Sequence, residues 1–222
     1  MNYTKTLREY CKSTPWRIFD VSYEMEEHFR MVPYKTLLKV LNRLEEEGVV
    51  ETFSKGIYLI KTGEPVIDPI VEHYGSDTRG VVVGYSMYNR YEVTDFSTNP
   101  KVIYTNMMRT DTKNIGEKYV LKRLPIYFTD RIKRMICALE IIEDGPGIID
   151  SDLCSRNEGV RKLLANYYDD STLREVVKVH QYKYSTIVTL HSILSNAGIK
   201  NDAIKTYERL FLDEKALLFP KR

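Results

Sequence analysis

The decisive stretch of the sequence is PYKTLLKVLNRLEEEG, residues 33–48, which predicts one amphipathic helix with a defined start and end. Proline favours the first helical turn because its missing N–H has no helical partner there. Gly48 can adopt the left-handed conformation that ends many helices. Apolar residues recur at the spacing of a core-facing helix: Tyr34, Leu37, Leu38, Leu41 and Leu44. A different face carries donors and no acid: Lys35, Lys39, Asn42 and Arg43.

A β-hairpin is predicted directly after this helix. Residues 49–53 and 57–60 have the composition of two strands, and they flank Ser54-Lys55-Gly56. A three-residue connection that ends in glycine is a favoured hairpin turn. A helix, a glycine and a hairpin with a lysine at its tip are typical of a winged helix-turn-helix, which predicts a DNA-binding regulator.

The residues before position 33 predict the other elements of such a domain. Asp20 or Ser22 can cap a helix, because both side chains accept hydrogen bonds from free N–H groups at a helix start. The order of elements favours a winged helix-turn-helix over the alternative, an ordinary small mixed domain whose lysines are merely solvated. The predicted segments are a helix, a strand, a second helix and a tight link: residues 2–12, 16–19, 23–29 and 30–32.

Basic residues near the decisive helix form the candidate DNA-binding surface. Residues 1–62 contain ten Lys and Arg against nine Asp and Glu, so composition alone does not indicate a nucleic-acid partner. A local basic stripe still creates a local field, and recognition helices usually direct their N-terminal half at base edges. The acidic residues 45–47 are expected at the far end of the helix, away from DNA. The predicted DNA-contacting residues are Arg30, Tyr34, Lys35, Thr36, Lys39, Asn42, Arg43 and Lys55.

A linker is predicted after residue 61, where turn residues and prolines follow one another. It divides the chain into a winged helix-turn-helix domain, residues 1–62, and a larger mixed α/β domain, residues 63–222. The second domain is expected to have its strands early and its helices late, so the fold class predicted for the whole chain is α+β. Its predicted strands are residues 81–83, 102–104 and 119–128, and its predicted helices are residues 131–143, 156–168, 171–182 and 201–213. The third of these helices can run on into residues 185–196.

Composition favours a cytoplasmic protein without a membrane partner. No stretch approaches the ~20 apolar residues that span a bilayer, and the first residues are polar. The three cysteines, Cys11, Cys137 and Cys154, are widely spaced and follow no pattern, which is typical of reduced thiols rather than of a disulfide framework.

No group of residues predicts an enzyme, a metal or a cofactor. Ser86 has a glycine two positions before it but lacks the second glycine of a nucleophile elbow. Gly75-Ser76 lies too far from Asp150 and Asp152 for a nucleotidyltransferase site. The histidines lack metal-ligand spacing and are expected in structural roles, the last two on roughly one helical face: His28, His73, His180 and His191.

Three motifs carry a resemblance to a known family. They are Arg17-Ile18-Phe19-Asp20 before the second helix, residues 41–50 at the end of the recognition helix, and Ser54-Lys55-Gly56-Ile57-Tyr58 at the wing. These motifs resemble the N-terminal domain of the AbiEi-type antitoxins of bacterial abortive-infection systems, which are transcriptional regulators. Residues 84–95 resemble the segment in which such proteins pass from a strand into a short helix, although Glu92 stands where glycine is expected.

The resemblance implies a repressor that binds inverted repeats in its own promoter and acts as the antitoxin of a toxin–antitoxin pair. Its C-terminal domain would counter a nucleotidyltransferase-like toxin of the AbiEii type, with or without a stable complex. Two alternatives stay open: a winged-helix repressor whose C-terminal domain senses a small ligand, and an enzyme with a DNA-binding module. A neighbouring nucleotidyltransferase gene would favour the antitoxin, and a deep apolar pocket would favour the ligand sensor.

Overall fold

Two small sheets and ten α-helices make up the protein in this computed structural model, which describes residues 2–14, 17–61 and 67–218. The chain is therefore mixed α+β, as the sequence predicts. The N-terminal unit, taken here as the described residues up to 61, has the predicted order of elements. They are α1 (Tyr3–Ser13), β1 (Ile18–Asp20), α2 (Val21–Glu27), α3 (Tyr34–Glu46), β2 (Val50–Ser54) and β3 (Ile57–Ile60).

The three strands of this unit form an antiparallel sheet in the order β1-β3-β2. Trp16, which the sequence places near the first strand, lies outside the described residues. Gly48 lies just after the end of α3 and has a φ of 71°. Gly56 lies in the hairpin turn and has a φ of 74°. Both glycines therefore have the left-handed backbone conformation that their positions require.

The apolar face of α3 packs against α1 and the first sheet. Tyr34 was predicted on this face, but its side chain is 55% exposed, and that prediction is wrong. Val40 is buried instead, because it lies three residues after Leu37 and four before Leu44 and so shares their side of the helix. The buried cluster around them contains Leu7, Cys11, Phe19, Leu41, Val50 and Tyr58.

The second sheet is mixed, with strand order β4-β5-β7-β6. Strands β5 and β7 pair in parallel, and the other two pairings are antiparallel. The predicted strand at residues 119–128 ends at Arg123, because Pro125 follows and has no N–H for a ladder. The elements of this region are α4 (Pro69–Gly75), β4 (Gly80–Val83), α5 (Tyr85–Arg90), β5 (Lys101–Thr105), β6 (Thr112–Ile115) and β7 (Tyr119–Arg123). Of these, α4 and β6 were not predicted.

Five helices follow the second sheet in the described residues, where four were predicted, because the region 171–196 forms two separate helices. Asp152 caps one of them by accepting a hydrogen bond from the backbone N–H of Ser155 at 2.7 Å, so this helix begins earlier than expected. The helices are α6 (Asp130–Asp144), α7 (Leu153–Leu164), α8 (Asp170–Val179), α9 (Tyr184–Asn196) and α10 (Ala203–Leu218).

The two faces of the second sheet contact different partners. One face, which includes Val83 and Tyr104, packs on helices α6 to α9. The other face forms an apolar cluster with α4 and with the back of the first sheet, where Ile18 and Ile57 are fully buried. The predicted domain boundary falls on residues outside the described ranges, and the segments on either side of it share this cluster.

A buried carboxylate joins the same segments. Asp20, only 2% exposed, accepts hydrogen bonds at Oδ2 from the Tyr74 hydroxyl at 2.6 Å and from the Lys113 ammonium at 2.8 Å. Its Oδ1 accepts from the backbone N–H of Ser22 at 3.0 Å and thereby caps α2, as one of the two predicted caps. Burial by itself raises the pKa of Asp20, but the Lys113 charge and the hydrogen bonds outweigh burial and lower it.

We predict that Asp20→Asn lowers the free energy of unfolding by about 2–4 kcal/mol. The substitution keeps the shape of the side chain but leaves the Lys113 ammonium, 22% exposed, without its counter-ion. Urea denaturation at neutral pH measures the change. Because the pKa of Asp20 is lowered, its contribution is present above the ordinary aspartate pKa and is lost as the pH falls through the lowered value.

The matched control is Asp95→Asn, which changes an exposed aspartate and should alter stability by no more than about 0.5 kcal/mol. Equal stability of the Asp20 and Asp95 variants would contradict the role assigned to the buried carboxylate.

Candidate nucleic-acid interface

The exposed face of α3 carries the predicted row of polar and basic residues. Helical spacing puts four positions opposite the buried face, and all four side chains are exposed: Lys35, Lys39, Asn42 and Arg43. Lys35, Lys39 and Arg43 follow one another at intervals of four residues, so they form a line along the helix. The structure therefore brings these predicted site residues together on one surface.

The remaining predicted site residues lie in the link before α3, in its first turn and at the hairpin tip. Arg30 is exposed in the link between α2 and α3, and Tyr34 and Thr36 occupy the first turn of α3. Thr36 is half-buried, whereas Tyr34 is mostly exposed. Lys55 is exposed at the hairpin tip.

The hairpin tip is held close to the start of α2. Ile57 pairs with Asp20 in the sheet, and the backbone N–H of Val21 donates to the Gly56 carbonyl at 3.0 Å. The turn that carries Lys55 is therefore fixed against β1 and α2, and it extends only a short distance beyond the sheet. A charge on such a turn is held in place by the backbone around it.

The acidic residues of the N-terminal unit are mostly engaged in contacts away from the exposed face of α3. Glu24 is buried and accepts a hydrogen bond from the Tyr10 hydroxyl at 2.6 Å. Glu51 pairs with Lys61 at 3.1 Å. By contrast, five cations have no acidic partner among the described residues: Arg30, Lys35, Lys39, Arg43 and Lys55. A unit that is nearly neutral in composition thus presents a locally basic face.

Residues 45–47 were expected away from DNA at the far end of the helix, but their three side chains have different surroundings. Glu45 accepts a hydrogen bond from the backbone N–H of Thr52 at 2.7 Å, which ties α3 to β2. Glu47 pairs with Arg8 of α1 at 2.6 Å. Glu46 is exposed, has no partner in the described part of the chain, and follows Asn42 by one helical turn. It is the one acid on the basic face.

The sequence gives no signal for two further basic residues that contact this unit. Arg109, in the connection between β5 and β6, pairs with Glu26 at 2.9 Å and with Glu27. Lys113 of β6 contacts Asp20. Both cations lie far from the N-terminal unit in the sequence, and no local pattern distinguishes them from other surface lysines and arginines.

The histidines are dispersed rather than grouped. His180 ends α8 and His191 lies in α9, so the expectation that they share one helical face is wrong. His191 Nδ1 is 2.6 Å from the Asn201 side-chain oxygen, and His73 is buried with a pKa lowered to about 3, chiefly by burial. No cluster of three potential metal ligands occurs within the described ranges.

Glu140 is the centre of a buried polar cluster in the C-terminal region. It is 8% exposed and accepts hydrogen bonds from the hydroxyls of Tyr182 at 2.9 Å and Tyr104 at 3.1 Å. His180 Nε2 lies 3.7 Å from its Oε1. Burial, reinforced by Asp144, raises the pKa of Glu140 to about 7. Both carboxylate oxygens are engaged, so this cluster ties α6 to β5 and to the connection between α8 and α9.

Two grooves among the described residues can be compared in volume with ligand pockets. One, of about 180 Å³, lies beside the start of α3 and is lined by residues such as Phe29, Met31 and Leu37. The other, of about 200 Å³, lies between α6, α7 and α9. Both are smaller than the ~300–1,000 Å³ that is usual for ligand pockets, so neither favours a small-molecule sensor.

Comparisons with known proteins leave the chain without an assigned family. No family model matches its sequence, and a search of curated proteins finds no similar protein. Among the helices in the described part of the chain, none is long and apolar enough to cross a bilayer.

We predict that the stability of the protein falls as the pH rises through about 7, the pKa of Glu140. The folded chain holds the Glu140 proton at pH values at which the unfolded chain has lost it, so deprotonation destabilises the folded state. The urea midpoint should be lower at about pH 8 than at about pH 6, and Glu140→Gln should reduce this difference. His180 titrates in the opposite sense because burial lowers its pKa, which makes the comparison with the variant necessary.

The control for this measurement is Glu143→Gln on the same helix. Burial alone would raise the pKa of Glu143, but hydrogen bonds from Lys183 and Thr186 outweigh burial and lower it. This variant should keep the alkaline loss of stability. The same pH profile for wild type and Glu140→Gln would show that Glu140 is not the group that retains its proton.

Proposed function

We propose that the chain is a DNA-binding transcriptional repressor whose N-terminal unit acts as a winged helix-turn-helix. The single observation that carries the proposal is the row of exposed cations on α3 without acidic partners in the described residues. Lys35 to Arg43 extends for about 12 Å along the helix axis, a length that allows contacts with several phosphates of one groove.

The residues of this face would make different contacts with DNA according to their position. Tyr34, Lys35 and Thr36 open α3 and would approach base edges, as the N-terminal part of a recognition helix does. Arg30, in the link before α3, and Lys55, at the hairpin tip, would contact the phosphate backbone and set the orientation of the helix. Asn42 and Arg43 lie farther along and would contact bases or backbone, depending on how deeply α3 enters the groove.

The resemblance to AbiEi-type regulators extends the proposal to the biological role. In this proposal the protein is a cytoplasmic antitoxin that represses its own operon through inverted repeats, and its C-terminal region counters a nucleotidyltransferase-like toxin. The support is the match of the three N-terminal motifs together with the passage from β4 into α5 at residues 84–90. No enzymatic activity and no cofactor are part of the proposal.

We predict that binding of the intact chain to duplex DNA weakens steeply with salt, because each neutralised phosphate adds about 0.9 to the slope of log affinity against log salt. Lys39→Ala and Lys55→Ala should each reduce this slope by about 1. Fluorescence anisotropy with a labelled duplex measures the slope. Lys178→Ala, which removes an exposed lysine at the end of α8, is the control and should leave it unchanged. Binding that is indifferent to salt would overturn the assignment of this face to DNA.

Co-expression with a neighbouring nucleotidyltransferase-like toxin tests the second role. Because protection is assigned to the C-terminal region, a chain carrying Lys35→Ala, Lys39→Ala and Arg43→Ala should lose operator repression but still restore growth. A promoter–reporter fusion and the growth rate measure the two activities in the same cells. Loss of protection in a variant that remains folded would refute this division of labour, and a wild-type chain that never protects would refute the antitoxin role.

A further inference from the structure

Two acidic residues at the end of α2 lie close in sequence to Arg30, one of the cations assigned to DNA. Glu26 and Glu27 end α2, and Arg30 follows them by only a few residues in the link to α3. In water of physiological ionic strength a charge acts over about 8 Å, so carboxylates at this position would weaken the attraction of the neighbouring cations for phosphate. The N-terminal unit by itself therefore carries charges that oppose its proposed function.

Arg109, which lies outside the N-terminal unit in the sequence, forms ion pairs with both of these carboxylates. Its Nε lies 2.9 Å from Glu26 Oε2, and a terminal nitrogen of the same guanidinium contacts Glu27. The guanidinium also lies 6.0 Å from the centre of the Tyr23 ring, on the same helix. One arginine thus contacts three side chains of α2, and Lys113 neutralises Asp20 at the start of that helix.

We infer that Arg109 and Lys113 are counter-charges that keep the acids of α2 from cancelling the basic field of α3. This inference rests on the proposed DNA-binding function. With the two residues included, the charge balance around the N-terminal unit changes from ten basic against nine acidic residues to twelve against nine. Affinity for DNA is then a property of the intact chain, because both residues lie outside the N-terminal unit in the sequence.

The high solvent exposure of the Arg109 ion pairs favours an electrostatic role for Arg109 over a structural one. Its side chain is 46% exposed, and those of Glu26 and Glu27 are 53% and 36% exposed. Ion pairs with this much solvent around them contribute little to stability. Their charges still act on an approaching polyanion, because the long-range field depends on net local charge rather than on the strength of the pair.

The test compares DNA affinities of intact chains, with a mixed-sequence duplex of about 30 base pairs at about 50 mM salt as the probe. Arg109→Gln makes the local charge beside α2 more negative by one unit and should weaken binding about two- to fivefold. The double variant Arg109→Gln with Glu26→Gln has the net charge of the wild type and should bind within about twofold of it. Arg161→Gln, which removes an exposed arginine from α7, controls for the total charge and should have a smaller effect than Arg109→Gln.

Each outcome bears on a specific claim. Restored binding by the double variant supports the counter-charge role, because the local net charge then equals that of the wild type although Arg109 is absent. A double variant as weak as Arg109→Gln overturns the inference and makes Arg109 a contact or structural residue. Arg109→Gln equal to Arg161→Gln also overturns it while leaving the proposed function intact. Failure of the wild type to bind DNA overturns the proposed function and this inference together.

Discussion

The carboxylate of Asp20 is the constraint on which the arrangement of the two halves depends. It caps α2 by accepting a hydrogen bond from the backbone N–H of Ser22. It also accepts hydrogen bonds from the Tyr74 hydroxyl, 54 residues away in the sequence, and from the Lys113 ammonium, 93 residues away. A charge buried to this degree requires all of its partners, since an unpaired carboxylate in the interior is costly. The first sheet, α4 and β6 are thereby held in one geometry, and the apolar cluster around Ile18 and Ile57 fills the space beside it.

Local patterns were sufficient for much of the N-terminal unit. The extent of α3, the turn at Gly56 and the Asp20 cap each depend on residues within a few positions of one another, and each was predicted. Strand β6 escaped prediction because Thr112-Lys113-Asn114-Ile115 has no alternation of apolar residues and is a strand only through pairing with β7. Helical spacing alone also could not show that Tyr34, at the edge of the apolar stripe, would remain exposed.

The sequence was sufficient to predict which residues of α3 share an exposed face, but not whether that face is basic. Helical periodicity identifies Lys35, Lys39 and Arg43 as neighbours on an exposed face. Whether that face is basic depends on where the nearby acids are directed, and this is decided by tertiary contacts such as Glu47 with Arg8 and Glu45 with the Thr52 backbone. A count of charges along the sequence treats all of these residues alike and therefore describes the unit as neutral.

The cluster shared by the two sheets has a consequence for the order in which the protein is made. Ile18 and Ile57 leave the ribosome before their partners Ile115 and Leu121 exist. At a synthesis rate of about 5–20 residues per second, the chain needs about 3–12 s to grow from Ile57 to Ile115. For that time the nascent first sheet presents an apolar surface to the cell. An apolar surface exposed during synthesis favours aggregation, so chaperone binding to the nascent chain bears on how much of the protein reaches the folded state.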